Sequence, residues 1–187
     1  MDNILKEGLY LLELGFAVHW LRPGQKIPVS AGWSDAAVPT PDQLIESYKT
    51  GYNLGFRTGK WSVVHEKEIC VLDIDIRGGK KFVNEAFAAA ASCLGGVFTP
   101  GVISGSQVGR HQYIGFPIGA SPTKAATTLR QSDAYATADG VICSPDTIGA
   151  KPAWVVEILS TGKQAALPPS IHPDTKKPYK WAEGRPS

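Results

Sequence analysis

Short apolar runs separated by turn-forming residues predict that much of this chain consists of β-strands. The runs with the length and the β-branched or aromatic content of strands are residues 16–21, 53–57, 69–76, 110–116 and 154–159. A further strand or a lengthened hairpin is predicted at 61–67, and a short strand at 141–144. His19 lies in the first strand, and we assign it no role because a lone histidine in a strand is usually structural.

Helices are predicted between some of these strands. Residues 3–15 and 80–94 repeat apolar side chains every three or four positions, the spacing of one buried helix face. Residues 40–43 (Thr-Pro-Asp-Gln) have the sequence of a capped helix start, and residues 121–122 (Ser-Pro) predict the start of another short helix. Because strands and helices do not alternate regularly, we expect an α+β fold with a mixed or antiparallel sheet and flanking helices.

The composition is that of an ordinary folded protein and places few limits on function. Hydrophobic residues make up 43% and charged residues 19% of the 187 positions, a length that suits one domain. The sequence shows neither a membrane-spanning apolar run nor the pattern of a signal peptide, and its three cysteines lie far apart. We therefore expect a cytoplasmic protein without a disulfide framework or a zinc cluster.

The net charge of +2 is small, but its distribution is uneven. Between Ser104 and Ser132 the chain carries Arg110, Lys124 and Arg130 and no acidic residue. A strong nonspecific DNA-binding domain would be more basic overall. The pattern instead favours a local cationic site that binds phosphates.

Two aspartates interrupt the apolar run at 69–76. In a strand, Asp73 and Asp75 share one face, and the aliphatic residues around them share the other. The two Cα atoms would lie about 6.6 Å apart, which suits carboxylates that converge on divalent metals. An edge strand with two solvated aspartates is the simpler alternative. We favour the functional interpretation because aspartate is rare in strands and costly to bury without a cation.

Two other predicted strands also carry a polar side chain in an apolar setting, namely His111 and Glu157. Carboxylate oxygens suit Mg²⁺ or Mn²⁺ better than structural zinc. Because Mg²⁺ often completes its coordination shell with substrate phosphates, we expect a triphosphate near His111. Gly105 and Gly109 would let the backbone approach this ligand closely.

In this order, the motifs resemble the prim-pol branch of the archaeo-eukaryotic primase superfamily, found in bacterial, plasmid and phage replication proteins. Residues 72–75 match its hydrophobic-Asp-x-Asp motif, residues 104–113 match a Ser/Gly-rich turn leading to a histidine, and residues 156–158 match an acid in an apolar strand. The resemblance covers nearly the whole chain and includes the opening helix and residues 15–18, 22–28, 53–55, 58–59, 162–164 and 168–173.

The resemblance implies a DNA primase/polymerase that performs template-dependent nucleotidyl transfer by a two-metal mechanism, in replication of a plasmid, phage or mobile element. Asp73, Asp75 and Glu157 would be catalytic and would bind two Mg²⁺ or Mn²⁺ ions. The substrates would be NTPs or dNTPs and single-stranded or primed DNA. The implied nucleotide-binding residues are His111, Arg110, Ser106, Lys163 and His172, with Lys26 as an additional candidate.

The implied fold is an RRM-like catalytic sheet with helices behind it, joined to an N-terminal α/β unit. We expect one prim-pol domain over residues 1–187, with the N-terminal unit at 1–60 and the catalytic core at 61–187. Residues 60–68 look longer than the family's usual link, and no zinc-binding cluster is present in the sequence. Relatives often continue into a helicase or a helical priming domain, so a partner of this kind is expected, and whether the chain is a standalone protein or an excised domain stays open.

Two other functions would use some of the same residues. A metal-dependent nuclease or phosphohydrolase also needs clustered acids and a histidine, but the order of the motifs favours the transferase. A non-catalytic replication initiator would keep the fold for nucleic-acid binding, but it would not need the intact set of Asp73, Asp75 and Glu157.

Overall fold

The computed structural model describes residues 2–96 and 101–186, in which antiparallel strands predominate over helices. The helices are α1 (Asn3–Glu13), α2 (Pro41–Glu46) and α3 (Val83–Cys93), the last preceded by a 3₁₀ turn at Lys80–Phe82. The strands are β1 (Ala17–Leu21), β2 (Asn53–Arg57), β3 (Gly59–Val64), β4 (Lys67–Ile76), β5 (Gly101–Ile103), β6 (Arg110–Pro117), β7 (Ala126–Gln131), β8 (Tyr135–Ala136), β9 (Ile142–Cys143), β10 (Lys151–Pro152), β11 (Trp154–Leu159), β12 (Gln164–Leu167) and β13 (Lys180–Trp181). The predicted α+β class is confirmed.

The largest sheet has the strand order β13-β5-β6-β4-β11-β7, and β3 also pairs with β4. Helix α3 covers one face of this sheet, where Ala86 and Ala90 pack on Leu72, Ile74 and neighbouring apolar residues. These are the aliphatic residues that alternate with the two aspartates of β4. The alternation predicted from the sequence therefore separates an apolar, helix-covered face from a polar one.

A second sheet has the order β1-β2-β12 and packs with α1 and α2. It is joined to the large sheet by aromatic contacts, in which the Tyr113 ring lies 5.9 Å from that of Phe16 and 5.6 Å from that of Phe56. Tyr113 is on the same face of β6 as His111. The second sheet thus packs on part of the polar face of the large sheet and leaves a cleft over the rest of it.

Local sequence signals explain the ends of the two N-terminal helices. The Asp2 side chain accepts a hydrogen bond from the Ile4 amide at the start of α1. At α2, Thr40 and Gln43 form the predicted reciprocal cap. Gly15 follows α1 at φ 104°, and a Cβ on it would lie 2.0 Å from the Val63 carbonyl oxygen, so only glycine fits there.

One predicted element is wrong. The residues after Ser121-Pro122 form bends, not a helix, and lead into the strand β7, which we did not predict. The segment is held extended because the Ser121 amide donates to Glu68 and the Ser160 hydroxyl donates to the Pro122 carbonyl. Strand β7 lies at the edge of the sheet and is half exposed, so its apolar pattern is weak.

Among residues 2–96 and 101–186, no helix combines the length and the apolar character needed to cross a membrane.

Candidate active site

Three polar side chains form a row across the large sheet. In the antiparallel register, Glu157 of β11 is the direct partner of Asp73 in β4, and Asp73 is the direct partner of His111 in β6. Directly paired residues project from the same face of a sheet. Asp75 lies two residues along β4 and shares that face. The structure therefore brings the four residues singled out in the sequence to one face.

Burial shifts the pKa values of two members of this row, His111 and Asp73. Desolvation, reinforced by the positive charge of Lys26, lowers the pKa of His111 to about 3. Desolvation, followed by the charge of Asp75, raises the pKa of Asp73 to about 7. Although His111 Nε2 lies 3.6 Å from Asp73 Oδ1, the two do not form an ion pair at neutral pH because the imidazole is uncharged. The positive charges of Lys26 and Arg77 oppose the rise in the pKa of Asp73 but do not cancel it.

Asp75 has a cation within reach. Its Oδ2 accepts a hydrogen bond from Arg77 Nη2 at 2.5 Å, and its side chain is 42% exposed. Within the described part of the chain, no three His, Cys, Asp or Glu side chains lie close enough together, as placed here, to hold a metal ion. A metal at Asp75 would have to compete with the Arg77 guanidinium.

The residues of the row nevertheless fit a divalent metal of the Mg²⁺ type. The donors are carboxylate oxygens, which Mg²⁺ and Mn²⁺ prefer. Burial and the negative charges of Asp75 and Glu157 raise the pKa of Asp73, and a bound cation would oppose this rise. The Asp73 side chain is 24% exposed, so an ion can reach it from the cleft.

The cleft above the row has a volume of about 470 Å³, within the range of small-molecule sites. Its walls come from both sheets and from the loop between β1 and α2. Asp73 and His111 contribute from the large sheet, and Lys163 contributes from the turn before β12. A smaller cavity of about 70 Å³ continues past Asp73 to Asp75 and Ser106.

Lys26 borders both of these cavities and also a wider groove of about 660 Å³ that starts at Asp75. Desolvation opposes its charge, but Tyr179 and the carboxylates of Asp73 and Asp75 raise its pKa overall. Lys26 is thus a firmly charged cation beside the acid row. From the sequence it was only an additional candidate, because loop lysines are commonly solvated.

His172 reaches the site from the C-terminal segment through a stack of three rings. The Tyr179 ring lies 5.8 Å from that of His111 and 5.7 Å from that of His172, tilted by 33° and 35°. Desolvation, and then Lys26, lower the pKa of His172. His172 Nδ1 accepts from the Asp174 amide at 3.2 Å, which fixes the direction of the ring.

Tyr179 was missed by sequence reasoning. It is buried, and its side chain interacts with those of Lys26 and Ser104. The segment around it is rich in proline and lysine, so it looked like a solvated loop. The segment folds back because the Tyr179 amide donates to the Ser170 carbonyl. The signal in the sequence was a large aromatic side chain among polar residues.

In the turn between β5 and β6, Gly105 packs closely against another part of the chain. A Cβ on Gly105 would lie 2.3 Å from the Cβ of His172, so only glycine lets the two segments meet. Ser106 Oγ accepts from the Gly109 amide at 3.1 Å and borders the small cavity. Ser106 is therefore placed where a phosphate could reach it.

Arg110 is placed differently from our prediction. It alternates with His111 along β6 and so projects from the opposite face, toward α3. Its guanidinium lies 5.5 Å from the centroid of the Phe87 ring, and Nη1 donates to the Gly109 carbonyl at 3.0 Å. This placement removes Arg110 from the predicted nucleotide pocket.

Comparison with known proteins supports the resemblance seen in the sequence. No curated protein matches the chain. The family model for Prim-Pol, described as "Bifunctional DNA primase/polymerase, N-terminal", matches residues 8–187. At the level of the family, the match indicates nucleotidyl transfer of the primase/polymerase type with DNA and nucleotides as substrates. The chain therefore belongs to the Prim-Pol family.

Proposed function

We propose that this chain is a template-dependent DNA primase/polymerase that acts in the replication of a plasmid, phage or mobile element. The observation that carries the proposal is the row of Glu157, Asp73 and His111 across the sheet, in which Asp73 and His111 line a nucleotide-sized cleft. Lys26 and Lys163 border the same cleft, so it combines clustered acids with cations. This combination suits a reaction between a hydroxyl group and a metal-bound triphosphate.

Asp73, Asp75 and Glu157 would hold two Mg²⁺ or Mn²⁺ ions. When bound, such ions activate the attacking hydroxyl and neutralise charge that develops on the triphosphate. The three carboxylates would hold these ions on one face of the sheet, and the pairing of β4 with β11 would keep the carboxylates in place. In the reaction, the 3′ oxygen of a primer or first nucleotide bonds to the α-phosphorus and its proton passes to solvent. The bond from the α-phosphorus to the oxygen that bridges to the β-phosphorus breaks, and pyrophosphate leaves.

Other residues of the site would bind the triphosphate. Neutral His111 would donate a hydrogen bond to a phosphate oxygen, while Lys26 and Lys163 would supply positive charge. His172 and Ser106 border the cavity around Asp75 and would contact the phosphates from the other side. Arg110 is not included, because it faces α3.

The direct test is to incubate the protein with a primed template, Mg²⁺ or Mn²⁺, and either NTPs or dNTPs, and to measure product length and pyrophosphate together. We expect the primer to be extended to the length set by the template, with one pyrophosphate released for each nucleotide added. Shortening of the template without extension would contradict the proposal and indicate a nuclease. DNA binding with neither outcome would indicate a non-catalytic module.

A further inference from the structure

Trp33 borders the main cleft but has no part in the chemistry described so far. It lies in the loop between β1 and α2 and contacts the same cavity as Lys26, Asp73 and His111. Trp33 also borders a separate cavity of about 120 Å³, whose walls include His19. The indole therefore lies between the two cavities, with one of them containing the acid row.

The His19 side of the indole is already occupied. The imidazole of His19 stacks on it with the ring centroids 5.3 Å apart and an interplanar angle of 30°. Burial, aided by the nearby charge of Arg57, lowers the pKa of His19 to about 4, so the imidazole is neutral at pH 7. The stack on Trp33 is thus a contact between two uncharged aromatic rings.

The backbone of the Trp33 loop is also held in place. The buried Arg57 of β2 donates through Nη1 to the carbonyls of Trp33 and Ala36. The same guanidinium lies 4.4 Å from the centroid of the Trp61 ring. A buried cation that binds loop carbonyls is costly unless its contacts are fully made. These contacts tie the backbone of the loop that carries Trp33 to strand β2.

From this arrangement we propose that Trp33 is the platform on which the base of the incoming nucleotide stacks, with His19 as a positioning residue behind it. The inference deepens the proposed function and rests on it, since it assumes that the triphosphate binds near Lys26 and His111. An aromatic ring and cations on the walls of one cleft match the two parts of a nucleotide, its flat base and its charged phosphates. A template base is the weaker assignment, because it would not need to share a cavity with the phosphate-binding residues.

Stacking recognises the face of a base and not its hydrogen-bonding edge. The platform would therefore raise the affinity for all four nucleotides and leave the choice among them to the template. This is the behaviour that a polymerase requires of a pocket that must accept each base in turn.

The test compares two ligands at equal Mg²⁺ concentration by calorimetry on the full chain: a non-hydrolysable dNTP analogue and inorganic tripolyphosphate. We expect the wild-type protein to bind the nucleotide about ten-fold or more tightly than tripolyphosphate, in line with the usual strength of base stacking. Trp33→Ala should lower nucleotide affinity to that of tripolyphosphate and leave tripolyphosphate binding unchanged. Trp33→Phe should keep most of the preference.

Trp33→Leu is the matched control for packing, because it keeps apolar volume in the loop but removes the aromatic face. It should behave like Trp33→Ala, and it provides the test if the alanine variant does not fold. A folded Trp33→Ala or Trp33→Leu protein that keeps the full preference for the nucleotide would overturn the inference and leave the proposed function standing. Loss of tripolyphosphate binding in both variants would also overturn it, because Trp33 would then act only by shaping the cleft. If the wild-type protein binds neither ligand, the proposed function fails and the inference fails with it.

Discussion

At the scale of single residues, burial controls the protonation of the site more than ion pairs do. His111 stays neutral because its surroundings exclude water, and Asp73 holds a proton more readily than a solvated aspartate does. A neutral imidazole can donate one hydrogen bond to a phosphate without attracting other anions strongly. In the proposed function, His111 would thus orient the phosphate and Lys26 would supply positive charge.

Replacing His111 should affect nucleotides more than the template. His111→Ala removes the donor proposed for the triphosphate, so we expect the KM for nucleotides to rise about ten-fold, the usual scale for losing a hydrogen bond to a charged group. Steady-state incorporation gives the KM, and fluorescence anisotropy with labelled DNA gives template affinity. His111→Gln keeps an N–H donor and should show a smaller effect. Equal losses of nucleotide and template binding in His111→Ala would contradict the phosphate role.

His19 should make the fold sensitive to acid. Folding lowers the pKa of His19 from 6.5 to about 4. Between these two pH values the imidazole is protonated in the unfolded chain but neutral in the folded chain. Stability is therefore lost as the pH falls from about 6.5 to 4, by at most about 3 kcal/mol at 1.36 kcal/mol per pKa unit. His19→Gln cannot titrate, so its free energy of unfolding, measured in urea, should fall less over this range. His111 acts in the same direction but is present in both proteins, so an unchanged pH slope would contradict this role of His19.

At the scale of elements, the turn between β5 and β6 holds the C-terminal segment against the site. The Thr175 hydroxyl donates to the Gly105 carbonyl at 2.7 Å. The Cα of Gly105 lies so close to His172 that there is no room for a methyl group between them. The turn and the His172 segment therefore form one packed unit. Displacing either part moves Ser106 and His172 together.

Gly105→Ala should disrupt this unit. The added methyl would overlap the Cβ of His172, and overpacking of this kind costs about 1–3 kcal/mol. We expect a lower melting temperature and weaker nucleotide binding. Gly119→Ala is the control, because Gly119 has open space around it and only the cost of its positive φ of 79° applies. If Gly105→Ala were no worse than this control in either measurement, the packing account would be wrong.

The sequence predicted the elements whose signals are local. The cap at Thr40 and the alternation around Asp73 and Asp75 depend on residues close in the chain, and the structure agrees with both. The bends after Ser121 and the position of Tyr179 depend on partners far away in the chain, such as Glu68 and Ser170. No local pattern could supply those contacts. Alternation along β6 places Arg110 on the face opposite His111, and this could have been predicted from the sequence. We expected Arg110 in the pocket because it stands beside His111 in the family's motif.

At the scale of the whole molecule, both ends of the chain build the second sheet. Strands β1 and β2 belong to the N-terminal 60 residues, but β12 pairs with β2 along its length. The buried Leu167 and the Ser170 hydroxyl, which contacts the Leu54 backbone, add to this connection. Because the cleft lies between the two sheets, folding of the second sheet and formation of the site are coupled.

A fragment of residues 1–60 should therefore not fold on its own. It would lack β12, leave one edge of β2 unpaired and expose Leu54 and Phe56. We expect its circular dichroism to show no cooperative thermal transition, whereas the full chain unfolds cooperatively. Cooperative unfolding of the fragment would show that the second sheet does not need β12.

The most direct test of the central claim, that the acid row supports nucleotidyl transfer, is the single-turnover incorporation rate of Asp73→Asn on a primed template. The substitution keeps the shape of the side chain and removes the charge that would hold a metal, so we predict a loss of at least about 100-fold. Asp146→Asn removes an exposed acid elsewhere and should leave the rate within about two-fold of wild type. A folded Asp73→Asn protein that incorporates nucleotides at the wild-type rate would contradict the account.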